Sequence, residues 1–105
     1  MEDILKTLRS EKSAAPFKVP VDAKKLNVPT YYKVITKPMD LATMAKNIKM
    51  NEYGSLDDFE RDLDLIVSNC VTFNGQSAPI ASLALEMQHI YQHLVQMGRE
   101  KLSAN

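Results

Sequence analysis

The apolar positions of this chain fall into four stretches of helical period, with one long stretch between the first and second that has no period at all. Ile4, Leu5 and Leu8 form one apolar face of a segment opened by Glu2 and Asp3, acids that suit the positive end of a helix. Leu41, Met44 and Ile48 follow Asp40, which is placed to cap a helix, with Met39 and Met44 set as a hydrophobic staple across it. Ser55 begins a third segment, with Asp58 three residues on as a capping-box acid. There Leu56, Phe59, Leu63, Ile66, Cys70 and Phe73 step by 3, 4, 3, 4 and 3, while Asp57, Glu60, Arg61, Asp62 and Asp64 occupy the other face. Asn74-Gly75 stops that helix and Pro79 suits the first turn of the next, where Ile80, Leu83, Met87, Ile90, Leu94 and Met97 repeat the same steps. The pattern predicts helices over about 2–12, 40–50, 55–73 and 79–102, and their connections describe an all-α four-helix bundle in one domain.

The aperiodic stretch, residues 13–39, holds four of the five prolines: Pro16, Pro20, Pro29 and Pro38. It can be neither one helix nor a central strand. It also carries Phe17, Val19, Val21, Leu26, Val28, Tyr31, Tyr32, Val34 and Ile35, too much apolar surface for a solvated linker. A proline-stiffened loop of buried-type side chains is expected to pack on the helices and form the wall of a pocket.

Composition narrows the classes. The 13 basic and 13 acidic residues cancel, which argues against direct nucleic-acid binding. Their placement is uneven: residues 1–52 carry ten Lys/Arg against six Asp/Glu, and residues 53–105 carry three against seven. The single Cys70 excludes an internal disulfide and suits a reducing compartment. Neither a membrane span nor a signal peptide is expected.

Asn74 is the informative polar residue. It lies four positions after Cys70 and eight after Ile66, so it continues the apolar line to the end of its helix. Two readings stand side by side: a left-handed helix stop, or a carboxamide pointing its donor and acceptor into the mouth of the bundle. Ile80 is placed to flank that mouth, and Tyr31 adds a hydroxyl from the loop. His89 and His93 have the i, i+4 spacing of a helical metal pair, but no third ligand accompanies them and no metal or other cofactor is expected. No Gly-rich phosphate loop, nucleophile elbow or His/Cys/Asp constellation is present, and Cys70 reads as a small core hydrophobe.

With these residues in hand, the sequence resembles a bromodomain over nearly its whole length. The strongest pieces are PVDAKKLNVPTYYKVITKPMDLATM, from Pro20 to Met44, and NCVTFN, from Asn69 to Asn74. The first is similar to bromodomains of the BET group. The FNG ending and the absence of a tryptophan in the loop are similar to the first bromodomain of fungal two-bromodomain transcription factors. The resemblance implies a left-handed bundle whose first and third loops enclose an acetyl-lysine pocket. By position it implies that Asn74 donates its side-chain N–H to the acetyl carbonyl and that Tyr31 holds the same oxygen through water. It places Pro16 and Phe17 as the remnant of a Trp-Pro-Phe shelf, Val21, Leu26 and Val28 on the loop side, Cys70 and Phe73 on the helix side, and Ile80 as gatekeeper. Ala15 stands where the family has the shelf tryptophan, and Phe73 lacks the hydroxyl of the tyrosine often found before the asparagine. No Asp or Glu is among these lining positions. The function implied is a non-enzymatic reader of acetylated histone tails, a monomeric domain of a larger nuclear protein that links chromatin acetylation to transcription. The alternative is a helical protein–protein adaptor with a decayed pocket, for which Ala15 is the motive.

Overall fold

The computed structural model describes residues 1–103. Helices α1 (Glu2–Arg9), α2 (Tyr31–Val34), α3 (Leu41–Lys49), α4 (Leu56–Asn74) and α5 (Pro79–Ser103) are joined by a 3-10 helix over Lys12–Phe17, and the described residues contain no strand. The four principal helices close a ring. Helix α1 packs on α5 and α3, α3 on α4, and α4 along the length of α5. Leu8, Leu41, Met44, Phe59, Leu63, Met87, Tyr91 and Val95 are fully buried where they meet. This is an all-α helical bundle.

Local chemistry sets the helix starts. The carboxylate of Asp40, itself buried, accepts from the Thr43 backbone N–H at 2.9 Å and from the Thr43 hydroxyl, which fixes the first turn of α3. Ser55 accepts from the Asp58 N–H at 3.2 Å at the start of α4. Asp58 reaches back to the N–H of Gly54 at 3.3 Å, one residue earlier than a capping box would place it.

Three features differ from the sequence expectation. Helix α1 ends at Arg9 rather than near residue 12, because the chain tightens into the 3-10 helix that brings Ser13, Ala14 and Phe17 into the core. The long loop is largely folded: beyond that 3-10 helix, Val28 N–H donates to the Ala23 carbonyl at 2.8 Å across a turn in which Asn27 has φ +57°, and α2 comes next. The core face of α5 is also turned. Its buried residues are Ala81, Ala84, Met87, Tyr91 and Val95, whereas Ile80, Leu83, Ile90 and Leu94 lie half-buried on the flank and Met97 is exposed. Small alanines let α4 and α5 approach closely, and Tyr91 is drawn inward because its hydroxyl donates to the Asp64 carboxylate of α4.

That bond shows that the acidic face of α4 is not simply solvated. Tyr53 donates to Asp62 at 2.6 Å, and Arg99 of α5 pairs with Asp57 at 2.9 Å and Glu60 at 2.7 Å. Burial and their carboxylate partners raise the pKa of both Tyr53 and Tyr91, so these hydroxyls remain donors at neutral pH.

The end of α4 separates the roles of two neighbouring residues. Asn74 is its last helical residue, so Asn74 is not a left-handed stop. Gly75 ends the helix, and it does so outside the left-handed helical region. Its φ of +91° with ψ of 149° falls in a region that essentially only glycine occupies, and an added Cβ would meet nothing within 4 Å. Gly75→Ala is therefore expected to lower stability by about 1–3 kcal/mol through backbone strain alone. Urea denaturation checks this, and an unchanged midpoint would mean that the stop does not depend on that conformation.

Candidate functional site

The long loop is held against the bundle by apolar anchors and by three carbonyl tethers. Phe17, Tyr31 and Ile35 are buried. The Lys18 carbonyl accepts from the Ala42 N–H at 3.0 Å, tying the loop's first part to α3. The Lys37 carbonyl accepts from the Asn69 side chain at 2.8 Å, tying its exit to α4. Between them, the Tyr32 hydroxyl donates to the Val21 carbonyl and fastens the loop to itself across 11 residues.

Between this loop, the last turns of α4 and the first turn of α5 lies a cavity of about 690 Å³. The structure brings all ten sequence-expected positions to its wall: Pro16, Phe17, Val21, Leu26, Val28, Tyr31, Cys70, Phe73, Asn74 and Ile80. It adds Val19, Pro20, Asp22, Lys25, Met39 and Ile66. The expectation that no acid lines the cavity is corrected by Asp22. Its carboxylate is exposed at the rim and accepts from the Lys25 backbone N–H at 3.0 Å, so it starts the turn and stays solvated. Ala15 is exposed on the 3-10 helix and contributes nothing to the wall.

The polar groups of the cavity are few and their states are fixed. The Asn74 Nδ2 donates to the Cys70 carbonyl at 3.0 Å and lies 3.8 Å from the Cys70 Sγ. Because a carbonyl only accepts, this bond sets which end of the amide is the nitrogen. Both contacts are made by Nδ2, a good one to the carbonyl and a long one to the sulfur, so a ligand acceptor would take the place of the weak sulfur contact. Burial pushes the Cys70 thiol up, against a smaller downward pull from Asn74, so it remains a neutral thiol and not a nucleophile at neutral pH. Burial raises the Tyr31 hydroxyl too, with Tyr32 and Cys70 adding to the shift. The Tyr31 ring stacks edge-to-face on Phe73, with centroids 4.9 Å apart, and on Tyr32 at 5.1 Å. Its hydroxyl has no protein hydrogen bond among the described residues.

A cavity framed by a clamped loop and closed by a helix-terminal asparagine now stands beside the comparisons with known proteins. A family model described as Bromodomain matches residues 1–86. The chain belongs to the bromodomain family. Over 89 residues, 85% of the chain, it is 38% identical to the SWR1 complex bromodomain subunit bdf1 of Schizosaccharomyces pombe. It is 38% identical over 87% of its length to Bromodomain-containing factor 1 of Candida albicans, and 36% identical over 86% to that of Saccharomyces cerevisiae. These alignments span only 15%, 12% and 14% of the respective relatives. The match agrees with the resemblance to fungal BET-type bromodomains. Bromodomains are reader modules for acetylated lysine rather than catalysts.

His89 and His93 lie elsewhere, in a groove of about 550 Å³ that they share with Thr7 and Glu11. No group of three metal-ligating side chains occurs among the described residues. Of the lining positions that the sequence did not reveal, Asp22 and Lys25 had no periodic signal, since both lie on an aperiodic turn. Ile66 and Met39 were visible only as core and staple residues.

The Tyr32 clamp lies outside the cavity wall and can be tested apart from it. Tyr32→Phe is expected to cost about 1 kcal/mol of stability, the usual worth of one hydrogen bond. It is also expected to speed amide exchange over residues 20–26 while leaving α4 and α5 protected. Unchanged exchange in that segment would show that the loop is held by its apolar anchors alone.

Proposed function

We propose that this bromodomain reads acetyl-lysine, that its natural ligands are acetylated histone tails, and that it serves transcription regulation in the nucleus as a non-enzymatic module of a longer protein. The observation that carries the reading is the Asn74 amide, exposed at the end of α4 with its Nδ2 bonded to the Cys70 carbonyl and only loosely to the Cys70 sulfur, at the wall of a mostly apolar cavity. In this arrangement Asn74 donates to the acetyl oxygen and Tyr31, held neutral, meets the same oxygen through a water. Phe17 covers the methyl, Val21, Leu26 and Val28 flank the alkyl chain on the loop side, Cys70 and Phe73 on the helix side, and Ile80 guards the mouth.

Selection for the modified side chain follows from desolvation. An unmodified ammonium carried past Phe17 and Val28 would be buried without a partner, at a cost of several kcal/mol, because the one carboxylate, Asp22, stays exposed at the rim. Acetylation removes the charge and supplies an acceptor that matches Asn74. Burying ~150 Å² of the acylated chain contributes roughly 4 kcal/mol at ~25 cal/mol per Å². After ordering costs, one mark should bind with a dissociation constant on the order of 10–1,000 μM. Tethering to further domains would raise the effective affinity. The adaptor alternative, raised by Ala15, finds no support in a filled pocket: the cavity is open without the tryptophan.

Calorimetric titration of one acetylated and one unmodified histone-tail peptide tests the proposal, with Asn74→Ala and Tyr31→Phe beside the wild type. Asn74→Ala should abolish acetyl-peptide binding and keep cooperative melting, since its side-chain bonds, to the Cys70 carbonyl and sulfur, both lie within its own helix. Tyr31→Phe should lose less, roughly 0.5–1.5 kcal/mol, as expected for one neutral hydrogen bond. Equal binding of both peptides by the wild type, or wild-type binding by Asn74→Ala, would sink the assignment.

A further inference from the structure

The loop that walls the cavity is strongly one-signed. From residue 18 to residue 37 it carries Lys18, Lys24, Lys25, Lys33 and Lys37 against Asp22 alone. Lys25 lines the rim, and Lys18 and Lys24 each neighbour a lining residue in sequence. The Lys37 carbonyl is bonded to Asn69, one residue before Cys70. Among the described residues none of these five lysines is in an ion pair, whereas Arg61 and Arg99 are.

The acids nearest the cavity are few: Asp22 at the rim, Asp40 buried as the cap of α3, Asp64 two residues before Ile66 and bonded to Tyr91, and Glu86 six residues beyond Ile80 on α5. Asp57, Asp58, Glu60, Asp62 and Asp64 crowd the first half of α4, and Asp57 and Glu60 are already engaged by Arg99. Ten residues separate Asp64, the nearest of them, from Asn74 along one helix, about 15 Å at ~1.5 Å per residue. That is roughly two Debye lengths at physiological salt, so the acids of α4 act on the mouth only weakly beside the loop's lysines. The two helix ends that meet there, the C-terminus of α4 and the N-terminus of α5, carry opposite partial charges that offset each other. Around the mouth the five loop lysines outnumber the acids nearest it.

We propose that the ligand favoured by this site is an acetyl-lysine flanked by acidic residues, and that flanking lysine or arginine is selected against by the unpaired lysines of the loop. This rests on the acetyl-lysine assignment of the cavity and adds a second criterion to it. The cavity tests the modified side chain by desolvation; the rim ranks its neighbours by charge. For a histone tail the rim orders segments by the net charge around the mark, with the most basic segment weakest.

Three peptides sharing one central acetyl-lysine test this, with flanks of glutamate and aspartate, of glycine and serine, or of lysine and arginine. Each has an unmodified control. At low salt the acidic peptide should bind about threefold tighter than the neutral one and the basic peptide about threefold weaker, and the spread should collapse at high salt. The double variant Lys18→Glu/Lys24→Glu, at positions beside the wall but not on it, should narrow or reverse the order while the neutral acetylated peptide continues to bind. Equal affinity of the three acetylated peptides, or tightest binding of the basic one, overturns the charge criterion and leaves the acetyl-lysine assignment standing. Loss of binding to all three overturns both.

Discussion

The site depends on one constraint: a stretch of about 27 residues that cannot form a long helix must still present a rigid wall. Backbone polar groups left unpaired in a packed loop cost as much as lost hydrogen bonds, so each carbonyl that tethers the loop has a matched donor. The Lys18 carbonyl meets α3, the Lys37 carbonyl meets the Asn69 side chain on α4, and the Val21 carbonyl meets Tyr32. Phe17, Tyr31 and Ile35 supply the apolar anchors between these points. The prolines limit the freedom that the unfolded chain would otherwise lose. With the wall fixed, a small number of polar groups on α4 and the loop are enough to define the cavity's chemistry.

Much of this was legible in the sequence, for identifiable reasons. The stripe from Leu56 to Phe73 marks α4 because it repeats at helical steps for five turns, and Asn74 stands out because it extends that line beyond Cys70. All ten expected positions lie on one cavity because they belong to a helix end, a helix start and a loop stiff enough to have one path between them. The sequence left open whether Asn74 is a helix stop or a carboxamide at the mouth of the bundle; Asn74 is the last helical residue and lies on the cavity wall, and the positive φ belongs to Gly75. The inward face of α5 was not legible. Two overlapping stripes share Met87, and choosing between them required knowing that Tyr91 would find Asp64, a partner 27 residues away. Asp22, Lys25 and the Tyr32 clamp were hidden for a related reason: a turn without period gives no register from which to read side-chain direction.

Charge is organised on a longer scale than any single contact. The formal net charge is zero, yet the lysines of the loop and the acids of α4 lie at opposite ends of the bundle's longest shared seam. The acidic end is partly used in structure, through Arg99, Tyr53 and Tyr91. The basic end is not. A domain of neutral composition thus carries five lysines on the loop that walls its cavity, a property that composition alone conceals.

The central claim is that the Asn74 carboxamide is the group that meets the modified side chain. Its side-chain N–H₂ gives a resonance pair in an ¹⁵N-correlation spectrum that can be assigned by comparison with Asn74→Ala. Adding an acetylated peptide should move that pair progressively to saturation, with the Tyr31 and Ile80 backbone signals, while the unmodified peptide at the same concentration leaves all three in place. An Asn74 pair that stays fixed while the acetylated peptide shifts other signals, or that moves equally with both peptides, would contradict the account.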